Sequence, residues 1–226
     1  MSRSTLTDTL SSPMRIILFA NGELPYPDHA RALIRPEDVI LCADGGARHA
    51  MDLGLTPDRV VGDLDSLDST DLLHLSRDGA DLDSYPQDKD DTDLELALRA
   101  ARKLAPEEVI LLGALGGRLD QTLANIFLLA HPDYADLRVI LVNGPERAWV
   151  VRDELVVRGR PGDILSVIPL TPDVTGLTYH HGLRWTLTDA ILPFGSSRGV
   201  SNELVAEEAR LSLKTGVILV IHRTSR

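Results

Sequence analysis

Short segments that are apolar along their whole length recur through the first two thirds of this 226-residue chain. They alternate with segments of helical composition, and each runs into glycine or aspartate. Strands buried on both faces have this character, and their alternation with helices indicates a mostly parallel sheet covered by helices on both sides. The predicted strands are RIILFANG, DVILCADGG, RVVGDLDS, VILLGALGG and LRVILVNG.

Helix boundaries in this first part carry recognisable signals. Gly54 follows a segment of helical composition and fits a helix end. Thr92 and Glu95 match a capping box at a helix start. The helix after Thr92 places apolar residues on one face, with a period near 3.6 residues. The predicted helices cover residues 47–53, about 93–103, and 119–130.

The chain changes character in its last third, where short strands and frequent turns replace the alternation with helices. Ala209, Leu211 and Leu213 alternate with polar neighbours, as one face of an antiparallel strand does. Residues 214–216 (KTG) predict a hairpin turn. We expect an α/β fold in which an N-terminal, mostly parallel sheet is followed by a smaller antiparallel β-sandwich domain. The predicted units are a flexible tail at 1–14, an α/β domain at 15–144 and a β-sandwich at 145–226.

Charge is distributed unevenly between these two parts. The net charge is −11 overall, and residues 144–226 carry about +1, so that residues 1–143 carry about −12. An acidic first unit argues against a nucleic-acid partner. The single cysteine, Cys42, lies in an apolar run and fits a buried thiol in a reducing compartment. No apolar stretch reaches the length of a membrane span, and a cytoplasmic enzyme is the default expectation.

Twelve aspartates lie between Asp58 and Asp93, against only three lysines and arginines. Two groups stand out, GDLDS at residues 62–66 and DKDDTD at residues 88–93. Crowded carboxylates repel one another unless a positive charge lies among them. Mg²⁺ binds through carboxylate oxygens together with substrate phosphates. The stretch is therefore either a phosphate-handling metal site or a solvated acidic loop.

Position within the predicted elements separates some of these aspartates from the rest. Asp63 and Asp65 would point to the same face if their strand persists to Ser66. Asp90 and Asp93 bracket the start of the next helix, where free backbone N–H groups favour negative charge. A metal could draw ligands from both groups. The aspartates between the two groups fit no motif and are assigned to solvated surface: Asp68, Asp71, Asp78, Asp81 and Asp83.

Basic residues and glycines near these aspartates suggest phosphate binding. Lys89 either neutralises its acidic neighbours or contacts a phosphate. The turn GALGGRLDQ (113–121) follows a strand and opens a helix, and its backbone N–H groups can face an anion. Arg118 at that helix start favours an anionic ligand. Asp120 can cap the helix, orient Arg118 or accept a proton.

Three further motifs have both a structural and a functional interpretation. Asp44, in the turn DGG, can bind a nucleotide hydroxyl or cap the following helix. Trp185 can belong to the core or offer its face to a cationic ligand. Ser201 and Asn202 can hydrogen-bond a heterocycle or form a turn. His180 and His181 are adjacent on a strand, which makes a shared metal improbable.

Taken in order, these motifs resemble the thiamine pyrophosphokinase family, whose pattern is DGG, PDxxxGDxDS, KDxTD, GGRxDH, GLxWxL and SNE. The present chain reads DGG from Asp44, PDRVVGDLDS from Pro57, KDDTD from Lys89, GGRLDQ from Gly116, GLRWTL from Gly182 and SNE from Ser201. The match spans nearly the whole chain after its first residues. Gln121 stands where the family has His; it can donate a hydrogen bond but is unsuited to proton transfer.

The resemblance implies transfer of a pyrophosphoryl group from ATP to the hydroxyl of thiamine, giving thiamine diphosphate and AMP, with Mg²⁺. It implies homodimers in which thiamine lies between the α/β domain of one subunit and the β-domain of the other. The implied Mg²⁺ ligands are Asp63, Asp65, Asp90 and Asp93. The implied catalytic residues are Lys89, Arg118 and Asp120, the nucleotide-binding residues Asp44, Gly45, Gly46, Gly116, Gly117 and Arg118, and the thiamine-binding residues Trp185, Ser201 and Asn202.

Two other functions stay open at this point. A pyrophosphokinase for another heterocycle, such as a hydroxymethylpterin, would share DGG and GDxDS but is not expected to carry GLxWxL with SNE. A thiamine- or nucleotide-binding protein without activity would not need intact acidic clusters and Arg118.

Overall fold

The computed structural model describes residues 14–225. The predicted N-terminal tail lies outside the described residues, except for Met14. Strands and helices alternate as far as residue 143, as predicted. In chain order they are β1 (Arg15–Phe19), α1 (Pro27–Leu33), β2 (Val39–Ala43), α2 (Gly46–Asp52), β3 (Arg59–Gly62), α3 (Ser69–Arg77), β4 (Asp81–Ser84), α4 (Asp93–Lys103), β5 (Glu108–Leu112), α5 (Leu119–Ala130) and β6 (Val139–Asn143).

These six strands form a parallel sheet in the order β4-β3-β2-β1-β5-β6. The central strands are buried on both faces, which explains their continuous apolar sequences. One core includes apolar residues of α4 and α5, and the core on the opposite face includes residues of α1, α2 and α3. Since β1, β2, β3 and β5 are parallel neighbours, the loops after them meet at one edge of the sheet.

The last third adds β7 (Glu146–Val151), β8 (Glu154–Arg158), β9 (Ile164–Pro169), β10 (Asp173–His181), β11 (Ala190–Pro193), β12 (Asn202–Glu203), β13 (Glu208–Ser212) and β14 (Ile218–Arg223). Four antiparallel strands extend the parallel sheet in the order β7, β14, β9 and β12. The complete sheet therefore has ten strands. A second sheet has the order β11-β10-β13-β8. Apolar residues of both sheets form a shared core. The predicted fold class is confirmed, and one layer of the sandwich continues the long sheet.

The predicted strand at 59–66 is wrong in its second half. It ends at Gly62, whose φ is +154°, and Leu64 has a left-handed φ of 62°. The chain then enters α3, a helix that was not predicted from the sequence. Asp68 accepts hydrogen bonds from the backbone N–H groups of Thr70 and Asp71 as the helix cap. Two of the aspartates assigned to solvated surface therefore have a structural role, because Asp71 completes this capping box.

Two smaller predictions were also wrong. Residues 214–216 do not form a hairpin turn, because β13 pairs with β8 and β10 whereas β14 pairs with β7 and β9. The turn instead carries the chain from one sheet to the other. At α4, the N–H of Glu95 donates to Thr92 Oγ1 at 3.2 Å, but the Glu95 carboxylate pairs with Arg99. Only half of the predicted capping box is formed.

The end of α2 and the alternation in β13 are confirmed. Gly54 follows α2 with a left-handed φ of 68°. Ala209, Leu211 and Leu213 are buried. From Met14 to Ser225, the structure has no helix with the length and apolar character needed to cross a membrane.

Candidate active site

Three carboxylates from separate parts of the sequence meet at the edge of the sheet. Asp44 follows β2, Asp63 follows β3 and Asp93 begins α4. One oxygen from each lies within 4.8 Å of the others, and we call these residues the carboxylate trio. Gly62 permits this approach, because a Cβ there would lie 2.9 Å from both Asp44 Cβ and Asp93 Oδ1. A side chain at position 62 would therefore push the trio apart.

Lys89 lies between two members of the trio. Its Nζ donates to Asp63 Oδ2 at 3.1 Å and lies 3.0 Å from Asp93 Oδ1, although the second contact is not aligned as a hydrogen bond. Burial opposes the charge of Lys89, but the two carboxylates outweigh it and raise the pKa of the ammonium group. Lys89 thus supplies the positive charge that the crowded carboxylates require.

The trio has more negative charge than Lys89 neutralises. Burial and the neighbouring carboxylates Asp63 and Asp44 raise the pKa of Asp93, even though Lys89 opposes this effect. For Asp63, burial acts in the same direction, but hydrogen bonds from the Asp65 backbone and from Lys89 together lower its pKa. Asp44 is 4% exposed, and its Oδ1 has no hydrogen-bond partner among the described residues. A buried carboxylate oxygen without a donor fits a cation ligand.

The predicted metal ligands divide into two groups. Asp63 and Asp93 belong to the trio, whereas Asp65 and Asp90 do not. Asp65 is exposed and accepts a hydrogen bond of 2.5 Å from Gln87 Nε2. Asp90 is also exposed. The third member is Asp44, for which the family resemblance implied a nucleotide-binding role. The pairing of Ala43 with Val61 brings it beside Asp63, and sequence alone did not reveal that pairing.

The turn DGG packs closely against β1. A Cβ at Gly45 would lie within 2.6 Å of the Asn21 amide group, and a Cβ at Gly46 would overlap the carbonyl of Phe19. Asp44 does not cap α2, because the cap is Gly45 and no side chain bonds to the helix start. That alternative for Asp44 was wrong.

The glycine turn after β5 forms the other side of the site. Gly116 and Gly117 have left-handed φ values of 86° and 67°. Arg118 is the N-cap of α5, and its guanidinium donates to both oxygens of Asp120 at 3.2 and 2.5 Å. This pairing raises the pKa of Arg118 and lowers the pKa of Asp120. Asp120 thus pairs with Arg118, and no side chain caps the start of α5. The Glu23 side chain lies against Gly116, so that the turn also has an acidic neighbour.

A cavity of about 480 Å³ connects these parts. Its walls come from the ends of β1 and β2, the acidic segments, the glycine turn and α5, and its volume suits a nucleotide-sized ligand. The predicted residues in its walls are Asp44, Asp65, Lys89, Asp93, Gly116 and Arg118, with Gln121 beside them.

The predicted thiamine-binding residues lie elsewhere. Within residues 14–225, those lining this cavity all precede position 126, so Trp185, Ser201 and Asn202 are absent from its walls. Trp185 is 56% exposed, with the Arg184 guanidinium 5.3 Å from the centre of its ring system. The Asn202 amide donates to the Trp185 carbonyl at 2.7 Å and accepts from its backbone N–H at 3.1 Å. Asn202 therefore fixes the loop that presents Trp185.

The fold and this cavity define an α/β protein with an acidic, nucleotide-sized pocket at the carboxyl edge of a mostly parallel sheet. Residues 30–141 match the family model described as thiamin pyrophosphokinase, catalytic domain. Residues 154–218 match the model described as thiamin pyrophosphokinase, vitamin B1 binding domain. The chain belongs to the thiamine pyrophosphokinase family, whose members are enzymes of the transferase class.

Individual relatives agree with this assignment. The chain is 27% identical over 183 residues to a thiamine pyrophosphokinase of Bacillus subtilis, covering 80% of this chain and 85% of the relative. A crystal structure of a thiamin pyrophosphokinase family protein from Enterococcus faecalis has a TM-score of 0.80 at 29% identity, over 94% of this chain and 100% of that one. The Bacillus subtilis crystal structure, at 24% identity, shows the same fold with a TM-score of 0.84 over 94% of this chain and 100% of that one.

Proposed function

We propose that the protein transfers a pyrophosphoryl group from ATP to the hydroxyl of thiamine, in a Mg²⁺-dependent reaction that gives thiamine diphosphate and AMP. The carboxylate trio is the observation that carries this proposal. It combines a buried, unpartnered oxygen of Asp44 with the carboxylates of Asp63 and Asp93, and Asp44 and Asp93 line a nucleotide-sized cavity. Such a donor set fits a hard divalent cation that also contacts phosphate oxygens.

The trio residues Asp44, Asp63 and Asp93 would hold the Mg²⁺. Bound there, the ion would neutralise phosphate charge and help to position the reacting groups. Asp65 lines the same cavity and would contact the ion through water. Asp90 stays a predicted ligand with weaker geometric support, because it is exposed and outside the trio.

The chain's own cations would stabilise the phosphates. Lys89 Nζ lies at the trio, and Arg118 lies across the cavity at the start of α5. Phosphoryl-type transfer depends on such positioning and charge stabilisation more than on covalent chemistry. Asp120 holds the Arg118 guanidinium in a bidentate pair, which fixes its direction. Gln121 would contribute a hydrogen bond rather than a proton transfer. The glycines of the DGG and GGR turns would approach the nucleotide through their backbone.

Among the described residues, the predicted thiamine-binding side chains do not line the cavity of their own chain, and this favours a homodimer. We infer that residues 15–144 form the nucleotide- and Mg²⁺-binding unit and residues 145–226 the thiamine-binding unit. Trp185 is exposed and does not line the cavity of its own chain. A second subunit would bring its Trp185, Ser201 and Asn202 to that cavity, and the Trp185 ring would then stack on the thiamine cation.

The location we propose is the cytoplasm. The thiol of Cys42 is fully buried in β2, and burial strongly raises its pKa. A buried, unreactive thiol with no partner cysteine fits a reducing compartment.

One assay tests the reaction directly. Purified protein is mixed with ATP, Mg²⁺ and thiamine, and AMP and thiamine diphosphate are quantified, with parallel reactions containing a chelator or a pterin alcohol. Equal amounts of AMP and thiamine diphosphate, lost with the chelator, are expected. AMP formed with the pterin alcohol but not with thiamine would contradict the substrate, and no AMP with either acceptor would contradict the activity.

A further inference from the structure

A second groove crosses the face of the long sheet that carries α1. Two cavities of about 630 and 670 Å³ adjoin there and share the wall residues Ala32, Leu33, Val142, Arg147 and Arg158. The groove runs between α1 and β8 and extends over β5, β6 and β7. We call it the arginine groove, after the side chains that line it: Arg15, Arg35, Arg138, Arg147, Arg158 and Arg160.

Half of these arginines lack a counter-charge in the described structure. Arg15 pairs with Asp38 at 2.6 Å, Arg138 with Glu108 at 3.5 Å and Arg158 with Glu208 at 3.4 Å. Within residues 14–225, no carboxylate oxygen lies within 4.0 Å of the other three guanidinium groups, those of Arg35, Arg147 and Arg160. The carboxylate of Asp163, which also lines the groove, is already bonded to His222 and Ser225.

This concentration of positive charge contrasts with the molecule as a whole, whose net charge is −11. Guanidinium groups that converge on a concave surface repel one another and favour a bound anion. Arginine also matches phosphate geometry through two parallel N–H bonds.

The floor of the groove is apolar. Ile110, Ile140 and Val142 are buried beneath it, and the half-buried Trp149 lies in its wall. An aromatic or heterocyclic ring can pack on such a floor while a charged group reaches the arginines. The groove has no lining residue in common with the candidate active site, within the part of the chain that the structure describes.

We propose that the arginine groove is a second ligand site, which binds a small organic phosphate non-covalently. The phosphate lies against Arg147 and Arg160 at the α1 end, and the organic part packs over Ile140 and beside Trp149. The ligand class is a phosphate ester that carries a flat ring, such as a nucleoside monophosphate. This site is independent of the transfer reaction, so its test does not depend on the reaction being correct.

The experiment uses Trp149 as a reporter. The sequence contains two tryptophans, and Trp185→Phe leaves Trp149 as the only one. In that full-length background, AMP and inorganic phosphate are titrated separately at equal ionic strength, without Mg²⁺, and Trp149 emission is followed. We expect a saturable change with AMP, and affinity for AMP about tenfold higher than for phosphate because the ring adds apolar contacts.

A paired variant identifies the site. Arg147→Gln combined with Arg160→Gln is expected to weaken AMP binding by about 100-fold, since each charged hydrogen bond contributes roughly tenfold. Arg77→Gln combined with Lys103→Gln, at two exposed positions in α3 and α4, also removes two positive charges and should leave binding unchanged. Thermal unfolding of each variant confirms that it is folded. The absence of a saturable Trp149 signal, unchanged affinity in the double variant, or equal affinity for AMP and phosphate would overturn the proposal.

Discussion

The ammonium group of Lys89 lies 3.1 Å from Asp63 Oδ2, and the side chains of both residues are only 14% exposed. The two residues belong to different loops, one after β3 and one before α4. Their contact fixes the second acidic segment against the first. With Asp44 and Asp93 beside it, this ion pair sets the balance of charge in the candidate active site.

Replacing Lys89 by methionine should destabilise the protein when no divalent cation is present. The variant leaves the carboxylate trio without its positive neighbour, and an uncompensated, partly buried charge costs roughly 2 kcal/mol after allowance for solvent. Chemical denaturation with a chelator present measures the loss. Added Mg²⁺ should restore more stability to the variant than to the parent protein, because a cation then supplies the missing charge.

Lys103→Met is the matched control for that prediction, because Lys103 is an exposed residue at the end of α4. Its stability should stay close to that of the parent, with and without Mg²⁺. Equal losses in the two variants would show that Lys89 contributes through general surface charge rather than through the trio.

Comparing Asp44→Asn with Asp90→Asn tests which carboxylates hold the metal: those of the trio, or those predicted from the sequence motif. Asp44 Oδ1 is buried without a donor, whereas Asp90 is exposed. Asp44→Asn is therefore expected to reduce kcat by roughly 100-fold or more, as loss of a group that stabilises the reacting charge does. Asp90→Asn should reduce it far less. Steady-state kinetics over a range of Mg²⁺ concentrations measures both, and a larger loss for Asp90→Asn would contradict the assignment of the trio.

The sequence predicted the individual helices and strands of this site better than it predicted which of their residues lie together. Both ends of α5 agree with the prediction, because residues 119–130 are mostly apolar and follow a glycine turn. Asp63 and Asp93 were identified from their positions at element ends. Asp44 was not recognised as their partner, since its place depends on β2 lying beside β3. That neighbour relationship is a property of the sheet and leaves no local signal.

Among the elements that were not predicted from the sequence, α3 and β4 have weak local signals for physical reasons. In α3 only Leu75 is buried, so its helical period is obscured by polar residues. The short edge strand β4 has no fully buried residue, and its sequence, DLDS, resembles that of an acidic loop. The turn at 214–216 has hairpin composition, but strand partners in a sandwich are selected by long-range packing. Local turn chemistry could not reveal that the chain changes sheets there.

Trp185→Ala should raise the KM for thiamine much more than the KM for ATP. The Trp185 ring is more than half exposed and absent from the nucleotide-sized cavity of its own chain, so its removal is not expected to disturb ATP binding. Loss of a stacked cation costs about 1–2 kcal/mol, or roughly 5- to 30-fold in KM. Ile191→Ala, at a similarly exposed apolar position in β11, is the control. Equal increases in both KM values would contradict a role for Trp185 in thiamine binding.

The hydrogen bonds around Asp163 predict how the stability of the folded protein depends on pH. Its side chain is 2% exposed and accepts hydrogen bonds from the backbone of Arg160, from His222 and from Ser225. Burial opposes ionisation, but these donors outweigh it and lower the pKa of Asp163 from 3.8 to about 2. Because the folded-state pKa is the lower one, the ionised carboxylate stabilises the fold above pH 4 or so, and this contribution is lost as the pH falls towards 2.

From that shift, Asp163→Asn is expected to lower the free energy of unfolding by about 2 kcal/mol at neutral pH. The difference from the parent should shrink between about pH 4 and pH 2, as the parent carboxylate becomes protonated. Asp173→Asn, at an exposed position that starts β10, should follow the parent throughout. Denaturation curves across this pH range measure the free energy of unfolding of each variant and of the parent. A constant difference between Asp163→Asn and the parent would mean that lost packing, and not the ionised carboxylate, accounts for the destabilisation.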